Sequence, residues 1–391
     1  MQKESVLIAG MGAVSASGCG VDPLFNAVTA GYDGLKPLTS IDTLLKVTPL
    51  CAEITFHHEY FDRYYRTLAL ALIAVDEALS CLESREGLRI GVVAATTVGG
   101  ICVTERIYKQ IRTNPEDLSS LVPQLSVHEP SVLSAKICEY SKGAGFHTLS
   151  TACSTGLHVL GVGKRFVEQG VYDACLVVGA DPLSLLTLRG FASLTLLDPR
   201  GCRPFDRDRA GISLGEGAAA MLLIPERLAE QCVRKPVVTM AGWGASADCF
   251  HMTAPHPQGD GARRAVTAAL KESGLSNDSI QLIAAHGTGT PDNDKAEIAA
   301  MRTLFDPLPP FFSVKRTIGH TLAASGLLEA VCAAKVIETQ RVPKTAGFST
   351  IDEQIGAAPD STVTGKITSV LKNSFGFGGN NASIIFSGWG N

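Results

Sequence analysis

Charge is scarce in this sequence and nearly balanced. Asp, Glu, Lys and Arg make up 18% of the 391 residues, below the usual quarter, while hydrophobic residues reach 45%. This excludes long solvated or disordered stretches and calls for a large core, enough for two domains or one two-part domain. With 34 basic against 38 acidic side chains the net charge is −4, so the whole chain offers no field for nucleic acid or an anionic membrane. Long apolar runs are also missing: none approaches the roughly 18 residues of a membrane span. The segment Val6–Val14 is broken by Gly10 and Gly12 and reads as a buried strand, not a signal peptide; the expected address is the cytoplasm. Cysteine is present eleven times, but without a C-x-x-C pair or a histidine at zinc-finger spacing. A disulfide framework and a structural zinc site are therefore set aside, and most of these thiols read as small buried hydrophobes in a reducing compartment.

Glycine is plentiful, with 39 residues, and much of it follows short aliphatic runs: Val6–Ala9 before Gly10, Ile90–Ala95 before Gly99, Leu176–Val178 before Gly179. Strands that end in glycine turns and lead into helical patterns indicate an α/β fold. Helical periodicity runs through 66–81, 156–169, 261–273, 294–304 and 326–339. Four strings recur in the same order in the two halves. Val6-Leu-Ile-Ala-Gly-Met-Gly-Ala13 matches Val238-Thr-Met-Ala-Gly-Trp-Gly-Ala245, and Ile90–Ala95 matches Ile280–Ala285; Ser154–Leu157 matches Ala324–Leu327, and Gly215–Leu223 matches Gly378–Phe386. The preserved order predicts an internal duplication. A polar break at Pro225–Pro236 separates a half comprising residues 1–235 from one comprising 236–391, and sites are expected where the halves meet.

Three places carry chemistry. Ser150-Thr-Ala-Cys153-Ser-Thr-Gly156 sets a thiol among small residues, after a strand-like run and before a helix. The helix start would stabilise a thiolate and lower the pKa of Cys153; the competing reading is a buried cysteine in a tight turn. In the second half, His286 follows a short apolar strand on a Gly/Thr loop, and His320 stands in the duplicate of the turn that carries Cys153. Either histidine alone reads as a packing residue. Two of them at element ends that a pseudo-twofold brings toward one cysteine point to a site. The third place is Asn373-Ser-Phe-Gly-Phe377-Gly-Gly379, a glycine loop between two strands, able to bring backbone amides to a reacting oxygen or simply to turn a hairpin.

Taken together, five motifs resemble those of the elongating β-ketoacyl–acyl carrier protein synthases of the thiolase superfamily. They are Thr-Ala-Cys153-Ser; Arg203-Pro-Phe-Asp206-x-x-Arg209-x-Gly211 with Leu214-Gly-Glu-Gly217; His286-Gly-Thr-Gly-Thr290-x-x-x-Asp294; Lys315-x-x-x-Gly-His320-Thr; and Asn373-Ser-Phe-Gly-Phe377-Gly-Gly379. The resemblance spans nearly the whole chain, and the Cys-His-His set distinguishes this group from the Cys-His-Asn priming synthases and from thiolases with a second reactive cysteine.

The resemblance implies a five-layered αβαβα fold and a decarboxylative Claisen condensation in fatty acid or type II polyketide or polyene synthesis. In that scheme Cys153 takes the acyl chain, and the amides of Cys153 and Phe377 meet the oxyanion. His286 and His320 hold the malonyl thioester carbonyl, and Thr288, Thr290 and Thr253 line the pantetheine tunnel. Lys315, with Glu297 as its partner, either sets the charge around His320 or forms with that glutamate only a structural ion pair, and the Phe377 ring gates the acyl pocket. The resemblance also implies no resident cofactor or metal, since substrates ride on the phosphopantetheine of acyl carrier protein. The partners it implies are that carrier, docked on a basic rim drawn from Arg63, Arg66, Arg203, Arg207 and Arg209, and a second ketosynthase-like chain in a homodimer or heterodimer. Two other classes were weighed: a non-catalytic chain-length-factor subunit, which normally lacks the nucleophile, and a thiolase or Cys-His hydrolase acting on coenzyme A esters. After His320 the chain reads Thr-Leu-Ala-Ala-Ser325-Gly where the family commonly has Gly-Ala-Ala-Gly, and residues 101–134 match poorly. Both departures are compatible with a specialised synthase.

Overall fold

The computed structural model describes residues 4–114 and 118–390. Its central strands Ala174–Asp181 and Gly217–Pro225 are buried along their whole length because both faces are covered. Among the described residues the principal sheet has eleven strands, ten of them in one line. In chain order these ten are β1 (Val6–Ser15), β2 (Ile90–Ala95), β3 (Gly145–Leu149), β4 (Ala174–Asp181), β5 (Gly217–Pro225), β6 (Val238–Ala247), β7 (Leu282–Ala284), β8 (Phe311–Phe312), β9 (Ser369–Gly376) and β10 (Asn380–Gly388). From the middle outward, one side runs β1-β5-β4-β2-β3 and the other β6-β10-β9-β7-β8. The two orders are the same topology repeated, and all four recurring strings fall on equivalent elements. The sides touch through one rung, Leu7 opposite Thr239, so the line is two five-stranded sheets joined at a seam.

Alternate residues of each strand feed different cores. Val93, Ala95, Val177 and Met221 point to a central layer formed by α3 (Thr155–Glu168) and α7 (Ser325–Thr339), while Val92, Ala94, Val178 and Leu222 pack on α1 (Arg66–Leu79) and α2 (Pro130–Ser141). On the far side the second sheet packs its other face on α5 (Asp260–Ser273) and α6 (Pro291–Leu304). The result is the five-layered αβαβα arrangement. The recurring Gly-x-Gly has one physical role in both halves. A Cβ on Gly10 or Gly12 would lie 2.0 or 1.9 Å from the Ala78 or Ala74 carbonyl oxygen of α1, and one on Gly242 or Gly244 would lie 2.2 or 2.0 Å from the Ala269 or Ala265 carbonyl oxygen of α5. Only glycine lets the outer helix approach each first strand so closely.

The periodic segments form helices within a few residues of their expected ends. The largest difference is α6, which starts at Pro291 instead of 294 because the Thr290 hydroxyl caps it, accepting from Asn293 N–H at 3.3 Å. Among the described residues no helix is long and apolar enough to cross a membrane.

Candidate active site

The duplication builds two matching turns. After Thr151 the chain passes through Ala152 at φ 52°, and helix α3 starts three residues later; after Thr321 it passes through Leu322 at φ 52°, and α7 starts three residues later. A side chain in this left-handed region costs roughly 1–2 kcal/mol, offset here by local bonds. Thr155 Oγ1 accepts from Thr151 N–H at 2.8 Å and donates to the Ala152 carbonyl at 2.5 Å, and Ser154 Oγ donates to the Thr151 carbonyl at 2.9 Å. The tight turn presents Cys153 into the space between the halves. His320 precedes the second turn, held by its N–H on the Ser213 carbonyl at 2.7 Å and by its own carbonyl accepting from Gly215 N–H at 3.1 Å.

Cys153 Sγ lies 3.0 Å from His320 Nε2. The His286 ring stands nearly perpendicular to that of His320, with centroids 5.7 Å apart and an 85° interplanar angle. Residues 153, 286 and 320 are 5%, 2% and 2% exposed. They line one cavity of about 150 Å³ together with Phe377, Thr253, Thr288 and Thr290. Seven of the nine residues singled out from the sequence thus share one chamber. The other two stand behind it. Glu297 accepts the N–H groups of His286 and Gly287 at 2.8 and 2.9 Å and fixes the end of β7. Lys315 is fully buried and pairs with Glu329, not with the expected Glu297. The reason is occupancy: both Glu297 oxygens already serve the His286–Gly287 backbone and Asn373 Nδ2, whereas Glu329 projects from α7 toward Lys315 with only Ser325 Oγ beside it on that oxygen.

Glu329 also takes Lys372 on its second oxygen, at 2.8 Å. Sequence reasoning missed Glu329 and Lys372, although a signal was present: each is a charge set in an otherwise apolar run, Leu327-Leu-Glu-Ala-Val331 and Val370-Leu-Lys372. It also missed Asp181, at the end of β4. Its fully buried carboxylate accepts Thr96 Oγ1 and the N–H groups of Thr97, Val98 and Ala323 at 2.8, 2.9, 3.2 and 2.8 Å, pinning the turn after His320 to the first half.

The expectation of a lowered cysteine pKa is not met. Burial pushes the Cys153 thiol up to about 12; the Lys315 charge and the N–H groups of Cys153 and Phe377 pull it down, and Asp181 pushes it further up. The helix start is there, but the loss of water outweighs it. Burial likewise holds both imidazoles well below the ordinary histidine range, helped by the charges of Lys315 and Lys372, so they are neutral at pH 7. His286 Nδ1 and His320 Nδ1 are buried without a hydrogen-bond partner among the described residues. An orphaned N–H in the interior is costlier than an unpaired lone pair, which places each ring proton on Nε2. A pH dependence follows. Below its pKa the thiolate fraction climbs roughly tenfold per pH unit, so alkylation of Cys153 by iodoacetamide, followed by peptide mass spectrometry, is expected to accelerate steadily from about pH 6 to 9. A plateau below pH 8 would contradict it.

Comparison with known proteins converges on one family. The model for the beta-ketoacyl synthase N-terminal domain matches residues 3–229, and that for the C-terminal domain matches residues 237–349. The chain is 31% identical over 414 aligned positions to 3-oxoacyl-[acyl-carrier-protein] synthase 2 of Staphylococcus aureus strain COL, covering 98% of each. Among solved structures it resembles the ishigamide ketosynthase/chain length factor, with a TM-score of 0.91, 28% identity and coverage of 99% and 100% of the two chains. It also resembles a ketosynthase from Xenorhabdus doucetiae in complex with its chain length factor, with a TM-score of 0.85, 29% identity and 99% coverage of each.

Proposed function

The chain belongs to the β-ketoacyl synthase family, and we propose that it catalyses decarboxylative condensation with Cys153 as the acyl carrier and His286 and His320 as the donors that hold the enolate. The observation that carries this reading is the 3.0 Å contact of Cys153 Sγ with His320 Nε2 in a cavity that also contains His286.

In the first half-reaction the sulfur attacks the thioester of an acyl group on carrier protein. The carbon–sulfur bond to pantetheine breaks, and the proton lost by Cys153 ends on the departing pantetheine sulfur. The N–H groups of Cys153 and Phe377, which also lower the pKa of the Cys153 thiol, meet the oxyanion that forms on the thioester carbonyl oxygen, while His320 Nε2–H stays beside the sulfur. In the second, Thr253, Thr288 and Thr290 flank the arm of malonyl carrier protein, and the two Nε2–H groups hold the malonyl thioester oxygen. Loss of CO₂ leaves an enolate whose carbon attacks the acyl-Cys153 carbonyl and expels Sγ. The product is a 3-oxoacyl thioester two carbons longer. Neutral donors suit this step because they stabilise the enolate oxygen without protonating its carbon. The substrates bring their own phosphopantetheine, so the reading needs no resident cofactor.

Acyl carrier protein is the substrate-bearing partner. Of the arginines considered for its docking rim, Arg66 is tied to the buried Glu216 at 2.5 Å and the buried side chain of Arg209 to Asp352 at 2.6 Å. Arg63 and Arg207 also pair, with Glu59 at 2.9 Å and Asp208 at 3.1 Å, but on the surface, where an acidic partner can compete, so Arg63, Arg203 and Arg207 are the rim candidates. A second ketosynthase-like chain is assigned to the edge strand β3, which among the described residues pairs only with β2 and leaves Phe146 46% exposed. We place the enzyme in the cytoplasm, where its eleven free cysteines stay reduced. The chain-length-factor reading has no use for Cys153, and the thiolase reading has Phe377 where a second cysteine would stand.

The test is incubation with acyl carrier protein loaded with a fatty acyl group. A mass increase on the Cys153 peptide, then CO₂ release and adduct loss on adding malonyl carrier protein, are expected. Hydrolysis to free acid without CO₂ would overturn the reading. The Phe377 ring packs on Phe191 with centroids 5.6 Å apart and closes one wall of the cavity. In Phe377→Ala the loading of long acyl groups relative to short ones is expected to rise about tenfold; loading of long groups at the wild-type rate would show that the ring is no gate.

A further inference from the structure

Lys372 is the least expected side chain near the site. It sits mid-strand in β9, fully buried, and its ammonium contacts Glu329 Oε2 at 2.8 Å, the carbonyls of Ala284 and Ala285 at 3.3 Å each, and the Asn373 carbonyl. Ala285 directly precedes His286. The next two residues of β9 continue the pattern: Asn373 Nδ2 donates to Glu297 Oε1 at 3.3 Å, and Ser374 Oγ donates to the Cys153 carbonyl at 3.1 Å. Three consecutive side chains thereby touch the supports of His286, of Lys315 and of Cys153.

We propose that Lys372 is a positioning residue for the decarboxylation step, anchoring the strand end that carries His286 and supplying, beside Lys315, a second buried ammonium group near the two imidazoles. Two ammonium groups share the single carboxylate of Glu329; burial lowers the Lys372 pKa and Lys315 adds to that, while the Glu329 and Glu297 carboxylates hold its charge in place. Charge preorganised in a dry site acts more strongly than in water. The influence is selective. The backbone contacts of Lys372 outside β9 are with the carbonyls of Ala284 and Ala285, which lead directly into His286, whereas the Cys153 carbonyl is held by Ser374 Oγ and not by Lys372. Lys372 is thus set to act on decarboxylation while sparing acylation. The inference rests on the condensation reading, and its test separates the two.

Lys372→Met removes both the charge and the anchoring; Lys372→Gln keeps an N–H donor for the carbonyls without the charge. In both, acyl transfer to Cys153 is expected to stay within about twofold of wild type, while CO₂ release from malonyl carrier protein falls about tenfold to a hundredfold. The ionisable groups around the two rings are Cys153, Lys315, Lys372, Glu329, Glu297 and Asp181, and each ring also faces the other. Loss of one cation from this set raises the imidazole pKa values, so protonated, inactive rings appear at higher pH. The acid limb of CO₂ release should move up by about one pH unit, the size of a nearby unit charge at an effective dielectric of about 20. A uniform loss at all pH values, an unchanged limb, or equal loss of acylation would overturn the proposal, as would failure of both variants to fold. If wild-type protein forms the adduct but releases no CO₂, or forms none, it is the condensation reading that fails.

Discussion

Alanine at position 153 is expected to abolish condensation, by about 10⁴-fold or more, while malonyl carrier protein still loses CO₂. The two half-reactions draw on different groups. Acyl transfer needs the Cys153 sulfur; decarboxylation needs donors for the thioester oxygen, and the main chain that carries His286 and His320 is held by backbone and carboxylate contacts that do not involve Cys153 Sγ. The complementary variant, His286→Ala, should keep the acyl adduct on Cys153 and lose CO₂ release by about 10²- to 10⁴-fold. Mass spectrometry of the Cys153 peptide and capture of labelled CO₂ measure the two halves separately. If Cys153→Ala lost both together while remaining folded, or if His286→Ala released CO₂ at the wild-type rate, the division of labour drawn here would be wrong.

Glu329→Ala is expected to be among the most destabilising single changes in the chain. Glu329 is 2% exposed and balances Lys315 and Lys372, both 0% exposed. Removing one partner of a buried pair leaves an uncompensated charge and costs about 3–5 kcal/mol; here two ammonium groups lose their carboxylate. Urea unfolding at pH 7 measures the effect. Glu230→Ala, which breaks the exposed Lys235–Glu230 pair, is the control and should change stability by less than about 1 kcal/mol. The pH dependence has a definite sign. The two lysines hold the Glu329 carboxyl below its usual range against the effect of burial. Its contribution is therefore complete above the ordinary glutamate pKa and is lost as pH falls through the lowered native value, so the gap between wild type and Glu329→Ala should narrow on acidification. A Glu329→Ala protein as stable as the control would mean that the two lysines find other partners or give up their protons.

Most of the fold was legible because its signals are local. Glycines where a helix must touch a strand, apolar runs of strand length and the helix periodicity all act within a few residues, and the duplication prints each signal twice. The reacting groups were legible for the same reason: Cys153, His286, His320 and Phe377 stand on turns with their own short-range chemistry. The supports behind them were less so. Glu297 was picked out, but given Lys315 as partner instead of the His286–Gly287 backbone; Asp181 binds two segments, 96–98 and Ala323, the latter 142 residues away from it; Glu329 and Lys372 looked only like charges misplaced in apolar runs.

By itself, then, the sequence determined the layered architecture, its internal repeat and the identities of the reacting side chains, since turn geometry and periodicity are properties of neighbouring residues. Which carboxylate meets which lysine, and whether the Cys153 thiol rests protonated, were decided only by the tertiary structure. Ion pairing and desolvation depend on the surfaces brought together when the two sheets close on the central helices, and in a dry interior those terms outweigh what a helix start provides.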